Sequence, residues 1–180
     1  FFDEYVRKAD NQVARIWEAV KYREANFDEE WMVVVTTDHG RGENGHGHGG
    51  QSWRERTTWI STNIPVNSHF TKGSLAITDI APSICRYMGF EIPQAVLWEQ
   101  DGMPFIGQTD IYDLQTLPYD NTVELSWKSY TGNAPVTVYA ASANKFREGG
   151  KDEWTKLAEL PAGVKSYTVD LQVLPASQFY

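Results

Sequence analysis

Three of the four histidines in the sequence lie together in one glycine-rich stretch, next to an aspartate. Asp38 and His39 are adjacent, and His46 and His48 follow in the same segment. Carboxylate oxygen and imidazole nitrogen are the ligands that zinc and related divalent ions take in proteins. The residue types and their spacing therefore predict a metal site. The alternative interpretation of Asp38 and His39 is a capped turn with a hydrogen-bonded histidine.

Two arginines follow the histidine segment and suit a negatively charged substrate. Arg54 and Arg56 carry the planar guanidinium group that binds oxyanions well. A substrate-binding role is one interpretation. The other is that both arginines face solvent or pair with Glu43 or Glu55.

The remaining histidine and the nearby threonines receive no role in this chemistry. His69 lies in a connection beside Pro65 and Asn67, and we expect it to be an exposed polar residue. Thr36 and Thr37 are expected to be strand residues rather than nucleophiles, because no base is adjacent to them.

An α/β arrangement is predicted to position these groups. Apolar residues recur at steps of three and four between Asp3 and Arg23, which indicates an amphipathic helix. The continuous run Met32-Val33-Val34-Val35 predicts a buried strand covered on both faces, as in a parallel sheet. Asp38 and His39 then follow the carboxyl end of that strand, where sites collect in α/β folds.

A second strand and a second helix are predicted after the glycine-rich loop. Arg56–Thr62 has the β-branched alternation of a strand. The helix is expected to begin near Thr78 or Asp79 and to end at Gly89. Short irregular pieces are expected over residues 92–105, which contain prolines and glycine.

The pattern changes after about Gln115. Three segments alternate with period two, and a fourth is compatible with another strand: Val123–Trp127, Val136–Ala140, Tyr167–Leu171 and Trp154–Leu160. We therefore predict an all-β module of sandwich type, with a boundary near 112–121. This divides the chain into a catalytic-type portion, 1–112, and an accessory β module, 113–180. The residues from Ser177 are predicted to begin a further strand, which would leave the module incomplete.

Composition limits the classes of function. The 180 residues include 16 basic and 24 acidic ones, and the net charge of −8 disfavours binding of nucleic acid by a positive face. No apolar run approaches the length of a membrane span. Cys85 is the only cysteine in the sequence, so no internal disulfide can form. Phe1 and Phe2 already lie in predicted helix, and we expect the sequence to be a piece of a longer protein.

Three motifs connect the first portion to a known family. They are T-T-D-H-G at the end of the Val-rich run, G-H-G-G shortly after it, and T-D-I-A-P-S-I-C-R-Y-M-G in the second helix. Together they resemble the C-terminal half of the alkaline phosphatase superfamily, especially its nucleotide pyrophosphatase/phosphodiesterase and sulfatase-like branches. The resemblance covers about residues 1–107. The β module lies outside it and is similar to a fibronectin type III domain.

The resemblance implies a partial alkaline-phosphatase-like sheet with flanking helices and a site for two divalent metal ions, with zinc as the expected metal. One ion would be bound by Asp38 and His39, and the other by His48. The H-G-G context favours His48 over His46, which would then be a solvated loop residue or a contact around the ligands. In the family, an Asp and a His of a D-x-x-x-H element supply remaining ligands just upstream of a helix like the first one in this sequence. The Thr or Ser nucleophile and one more Asp lie in the N-terminal half of the domain. That half would be required for activity, and this piece alone would be inactive.

The implied activity is hydrolysis of a small phosphate ester by a phosphodiesterase, nucleotide pyrophosphatase or phosphatase. A nucleic-acid polymer is not the expected substrate, and the implied location is the periplasm or the exterior of a bacterium. A sulfatase of the same fold is one alternative, although sulfatases usually use calcium, and two histidine ligands favour zinc-like ions. The other alternative is a non-catalytic fragment whose β module binds a glycan or a protein partner.

Overall fold

The computed structural model describes residues 2–145 and 148–177. With 32% helix and 22% strand in small antiparallel sheets, the predicted mixture of helices and strands is confirmed, and no closed barrel forms among the described residues. The chain divides into two compact units. The first comprises the residues up to Val35 together with Thr62–Ile64, and the second comprises Thr36–Ser61 and the residues from Pro65 onward.

The first unit consists largely of helix α1, Phe2–Asn26. The helix predicted for this segment is therefore confirmed. Of its apolar residues, Val20 is buried, whereas Val6 and Ile16 remain exposed, so only a narrow part of the predicted stripe is covered. No helix in the described part of the chain combines the length and apolarity needed to cross a membrane.

The side-chain amide of Asn63 connects two segments of the first unit. It donates a hydrogen bond to the carbonyl of Trp31 at 2.8 Å and accepts one from the backbone N–H of Val33 at 2.7 Å. Backbone groups outside regular ladders need such partners. Asn63 therefore fixes the chain just before the first strand.

Strands β1, Val34–Thr36, and β2, Ile60–Thr62, form a two-stranded sheet. Of the predicted run, Val34 and Val35 belong to the strand, whereas Met32 and Val33 precede it. The expectation that this strand is covered on both faces is wrong for the described residues, since none of its three residues is fully buried.

A short helix, α2, Trp53–Arg56, precedes β2. The side-chain oxygen of Ser52 accepts a hydrogen bond from the N–H of Glu55 at 3.4 Å, and the carboxylate of Glu55 accepts one from the N–H of Ser52 at 3.3 Å. This reciprocal S-x-x-E arrangement is a capping box. The strand predicted in this region is right only from Ile60 onward, because its first residue belongs to α2.

Two helices and a 3₁₀ turn follow in the second unit: α3, Ser68–Lys72; the turn Ile77–Asp79; and α4, Ile80–Tyr87. The predicted second helix is confirmed, including its end. Gly89 has a φ of 70°, and the N–H of Phe90 donates to the carbonyl of Cys85 at 2.8 Å. This is the helix-ending geometry that glycine favours.

Ser83 joins α4 to the core of the second unit. Its side chain is fully buried, and its hydroxyl donates to the carbonyl of Asp79 at 2.7 Å and accepts from the N–H of Phe105 at 2.9 Å. Phe105 is also fully buried, and its ring meets that of Phe70 edge-on. The segment around Phe105 is thereby held against α4 by both a hydrogen bond and apolar packing.

Helix α5, Gln94–Glu99, lies in the segment that we expected to be irregular, so that expectation is wrong for these residues. The N–H groups of Val96 and Leu97 donate to the carbonyl of Pro93 at 2.9 and 3.0 Å. The fixed φ of proline is compatible with the first turn of a helix. Pro93 therefore starts this helix.

Five strands of the described residues form two antiparallel sheets: β3, Ile111–Tyr119; β4, Thr122–Ser129; β5, Val136–Ala140; β6, Thr155–Leu160; and β7, Ser166–Asp170. β4 lies between β3 and β7, and β5 pairs with β6. The four strands predicted in this region are confirmed as β4, β5, β6 and β7. The sandwich and its fibronectin type III likeness stay predictions.

β3 is a strand that the sequence pattern did not indicate. Asp113 has a φ of 56°, and the pairing with β4 shifts between Tyr112 and Gln115. Such a bulge inserts an extra residue, so the side chains no longer alternate regularly between the two faces of the strand. Pro118 further obscures the strand, because proline is rare within strands.

The strand-rich part begins at Ile111, close to the predicted change at 112–121. The division into 1–112 and 113–180 stays a prediction, since the two compact units separate elsewhere in the chain. Of the further strand predicted from Ser177, residues 178–180 lie outside the described residues.

Candidate metal centre

The first two predicted ligands lie directly after β1. Asp38 and His39 follow the end of that strand, and the N–H of Gly40 donates to the carbonyl of Glu55 in α2 at 2.8 Å. The start of the loop is therefore fixed at one side by the strand and at the other by the short helix.

The loop returns His48 to His39. Gly47 and Gly49 flank His48 and have φ values of 73° and 100°, a left-handed backbone that glycine adopts readily. The rings of His39 and His48 are stacked, with centroids 4.1 Å apart and planes inclined by 26°. The predicted return of the second histidine is thus present in the structure.

The hydrogen bonds of His39 define which ring nitrogen is available. Nδ1 lies 2.6 Å from the carbonyl oxygen of Gly40, and because a carbonyl only accepts, Nδ1 carries the proton. Nε2 of the neutral ring then has a lone pair. That nitrogen lies 3.4 Å from Oδ2 of Asp38. With a neutral ring, the nitrogen and the oxygen are two acceptors side by side, and a shared proton or a bound metal ion would satisfy both.

The structure also shows a feature of the alternative interpretation, in which Asp38 and His39 form a capped turn. Oδ1 of Asp38 accepts a hydrogen bond from the backbone N–H of His39 at 3.0 Å, as in a capped turn. The second carboxylate oxygen remains beside Nε2, and the Asp38 side chain is 86% exposed. The turn therefore leaves one oxygen of Asp38 available to a ligand.

A cavity of ≈ 750 Å³ adjoins the three predicted ligands. Asp38, His39 and His48 line it, together with Arg56 and residues 74–77. Cavities of this size accommodate small-molecule ligands. The structure thus brings the predicted ligands and one candidate substrate-binding arginine to the same cavity.

Glu55 also lines this cavity, although we considered it only as a partner for the arginines. The hydroxyl of Ser52 and the N–H of Gly50 donate to its carboxylate and hold the pKa of Glu55 below its usual value, and nearby His48 acts in the same direction. The S-x-x-E spacing was the signal in the sequence that could have located this residue.

His46 and Arg54, which were also predicted for the site, lie outside the cavity lining that the described residues form. His46 is exposed, its N–H donates to Oδ1 of Asn44 at 2.9 Å, and it does not contribute to the lining that the described residues form. Arg54 is likewise outside that lining, and its guanidinium donates to the carbonyl of Glu43 at 3.1 Å. Of the two arginines, only Arg56 is positioned to meet a ligand in the cavity.

The ligand set that the described residues supply is partial. Among them, no three histidine, cysteine, aspartate or glutamate side chains are arranged to hold one ion together. Catalytic zinc sites use about three protein ligands per ion. Asp38, His39 and His48 fit metal binding by their donor chemistry, and further ligands would be needed to complete each site.

His69 is buried, so the expectation that it is exposed is wrong. Its Nε2 lies 3.0 Å from Oδ2 of Asp79, whose carboxylate also accepts the N–H groups of Ala76 and Met103 at 2.8 and 2.7 Å. The error has a physical origin. Asp79 or Thr78 was expected to cap α4. Asp79 does precede the helix, but its side chain makes no capping hydrogen bond and reaches His69 instead.

Comparison of the chain with protein-family models, with curated proteins and with solved structures finds no match. The resemblance to the alkaline phosphatase superfamily therefore depends on the quoted motifs alone.

Proposed function

We propose that this chain supplies part of a two-metal site for the hydrolysis of phosphate esters, as in a phosphodiesterase, nucleotide pyrophosphatase or phosphatase. Asp38 and His39 would bind one divalent ion and His48 the other, with zinc as the expected metal. The observation that carries the proposal is the pairing of the Nε2 lone pair of His39 with a free oxygen of Asp38. Metal-binding histidines commonly donate their other N–H to a carbonyl, as Nδ1 of His39 does to Gly40.

The stacking of the two imidazoles supports separate ions. Lone pairs of imidazole nitrogens lie in the ring plane, so those of nearly parallel rings do not converge on one point. One ion per histidine is the arrangement that this geometry favours.

The side chains of this chain would bind and orient the substrate around that pair. When bound, divalent ions stabilise the attacking and leaving oxygens of an in-line displacement. Arg56, which lines the cavity, would hold a non-bridging oxygen of the ester through its guanidinium. Glu55, whose carboxylate is already occupied by Ser52 and Gly50, would keep the loop in place around His48.

The proposed activity belongs to a protein that also contains the remaining ligands and the nucleophile. The family resemblance implies that an Asp and a His ligand lie just upstream of a helix like α1, and that the nucleophile and one more Asp lie in the N-terminal half of the domain. Two histidines among the three proposed ligands favour zinc-like ions over calcium, and hence a phosphoesterase over a sulfatase. The proposed substrate is a small ester.

Hydrolysis of bis-p-nitrophenyl phosphate in the presence of zinc tests the proposal. In the full-length protein, Asp38→Ala and His39→Ala should each lower kcat/KM roughly 100-fold or more, because a lost ligand removes the metal as well as the rate. The metal content, measured by atomic emission after dialysis, should fall together with the activity.

The matched control is His46→Ala, which removes an imidazole from the same loop but outside the cavity lining. It should keep both the activity and the metal. Equal turnover by Asp38→Ala and the unaltered protein would rule out the proposed function and leave a non-catalytic role.

A further inference from the structure

The second ring nitrogen of His69, Nδ1, is buried and has no hydrogen-bond partner among the described residues. The first, Nε2, faces Oδ2 of Asp79, and the carboxylate of Asp79 accepts two further hydrogen bonds, from the N–H groups of Ala76 and Met103. Because this carboxylate acts as an acceptor, Nε2 is the donor. In the neutral form of the ring, the lone pair is then on Nδ1.

The hydroxyl of Tyr130 is another buried polar atom without a partner among the described residues, and it lies nearby. Both atoms adjoin Gly73: a Cβ at that position would lie 2.5 Å from Nδ1 of His69 and 3.0 Å from Oη of Tyr130. The two atoms are separated by no more than the sum of these distances. A gap of this size is closed by one bridging water or by a small movement of the side chains.

The hydroxyl of Tyr130 and Nδ1 of His69 can act as donor and acceptor to each other. Burial, with smaller contributions from Tyr112 and Asp79, raises the pKa of Tyr130, and its protonated hydroxyl has one O–H to donate. Nδ1 of His69 is the complementary acceptor. A buried donor and a buried acceptor left apart would each lose the hydrogen bond that they make to water in the unfolded chain.

We propose that the hydroxyl of Tyr130 donates to Nδ1 of His69, directly or through one water molecule, and that Tyr130, His69 and Asp79 thereby position one wall of the cavity. Oδ2 of Asp79 accepts from both Nε2 of His69 and the N–H of Ala76. Ala76 and the neighbouring Ile77 line the cavity. Tyr130 is thus a positioning residue that connects the end of β4 to this wall, and its role does not depend on the proposed metal chemistry.

Long-range ¹H–¹⁵N spectra of the unaltered protein test the hydrogen bond without any substitution. The imidazole of His69 should carry its proton on Nε2, and Nδ1 should resonate at the position of a hydrogen-bonded lone pair. A proton on Nδ1, or the shift of an unbonded nitrogen, would overturn the proposal.

Tyr130→Phe tests the positioning role. The Nδ1 resonance of His69 should move to that of an unbonded nitrogen, and the amide of Ala76 should exchange roughly fivefold faster, the factor expected for one ordinary hydrogen bond. Tyr112→Phe is the matched control, because the rings of Tyr112 and Tyr130 are stacked with centroids 4.0 Å apart. It should change neither signal. An unchanged His69 spectrum in folded Tyr130→Phe, or an equal response to both variants, would refute the role.

Discussion

At the scale of single residues, the direction of hydrogen bonding distinguishes the histidines. His39 donates from Nδ1 to the carbonyl of Gly40 and keeps Nε2 beside an exposed carboxylate oxygen. His69 uses its Nε2 toward Asp79 in a buried setting. His39 therefore suits a ligand role, and His69 suits a structural one.

Asp79→Asn should lower the free energy of unfolding by about 3 kcal/mol, because the carboxylate is buried and accepts hydrogen bonds from His69 and two backbone N–H groups. An amide retains the shape but presents a donor where an acceptor is needed. Urea denaturation followed by circular dichroism measures the change.

The exposed Asp101 offers a control with the same chemical substitution. Asp101→Asn should change the free energy of unfolding by less than about 0.5 kcal/mol, as is usual for surface positions. If Asp79→Asn were as stable as Asp101→Asn, the buried network would have no part in holding the fold.

For single residues, the proximity of two side chains could be predicted where the residues are close together in the sequence. Asp38 and His39 are neighbours, and glycines on both sides of His48 indicate that the loop turns back, so their proximity could be predicted. The pairing of His69 with Asp79 could not be predicted in the same way. It depends on how α3 and the 3₁₀ turn pack together, and no local pattern records that packing.

At the scale of elements, the site depends on the short helix α2 and its capping box. Glu55 links the cap to the loop, since its carboxylate accepts from Ser52 and from the N–H of Gly50. The strand predicted for Arg56–Thr62 is present only over Ile60–Thr62, after the helix has ended at Arg56. The S-x-x-E spacing of Ser52 and Glu55 favours the start of a helix, and the structure has a helix at this position.

The capping box should respond to pH. The pKa of Glu55 is held below its usual value in the folded state, so its contribution to stability is present above the unfolded pKa and is lost as pH falls through the lower folded pKa. In an NMR titration, the amides of Gly50 and Ser52 should therefore report a midpoint below 4.5, the ordinary value of the group.

Ser52→Ala should move that midpoint upward, because it removes the hydroxyl that contributes most to the lowered pKa of Glu55. A midpoint that stays in place in Ser52→Ala would show that the hydroxyl does not bond the carboxylate in solution. Glu55→Gln should abolish the pH response of both amides.

The other helices and strands differ in how clearly local sequence patterns indicate them. α4 and its ending at Gly89 follow from local periodicity and a glycine stop, and β5 follows from clean alternation. β3 contains a bulge at Asp113, and α5 begins after a proline that we interpreted as a breaker. In both, irregular residues obscured the element, namely the bulge and Pro118 in β3 and Pro93 before α5.

At the scale of the whole molecule, the candidate ligands and the buried Asp79 network belong to the same compact unit. The net charge of −8 does not oppose an anionic substrate at this site, because bound divalent ions would be the largest local charges. The parallel sheet was inferred from the Val-rich run, but which strands pair could not be predicted, because strands that are distant in the sequence carry no local pattern that identifies their partners.

Zinc titration followed by ¹H–¹⁵N imidazole spectra is the most direct measurement of the central claim, that Asp38, His39 and His48 bind divalent ions. Added zinc should shift the ring nitrogens of His39 and His48 and leave His46 and the buried His69 unchanged, and Asp38→Ala should weaken the response of His39. Unchanged signals from His39 and His48, or a response confined to His46, would contradict the account.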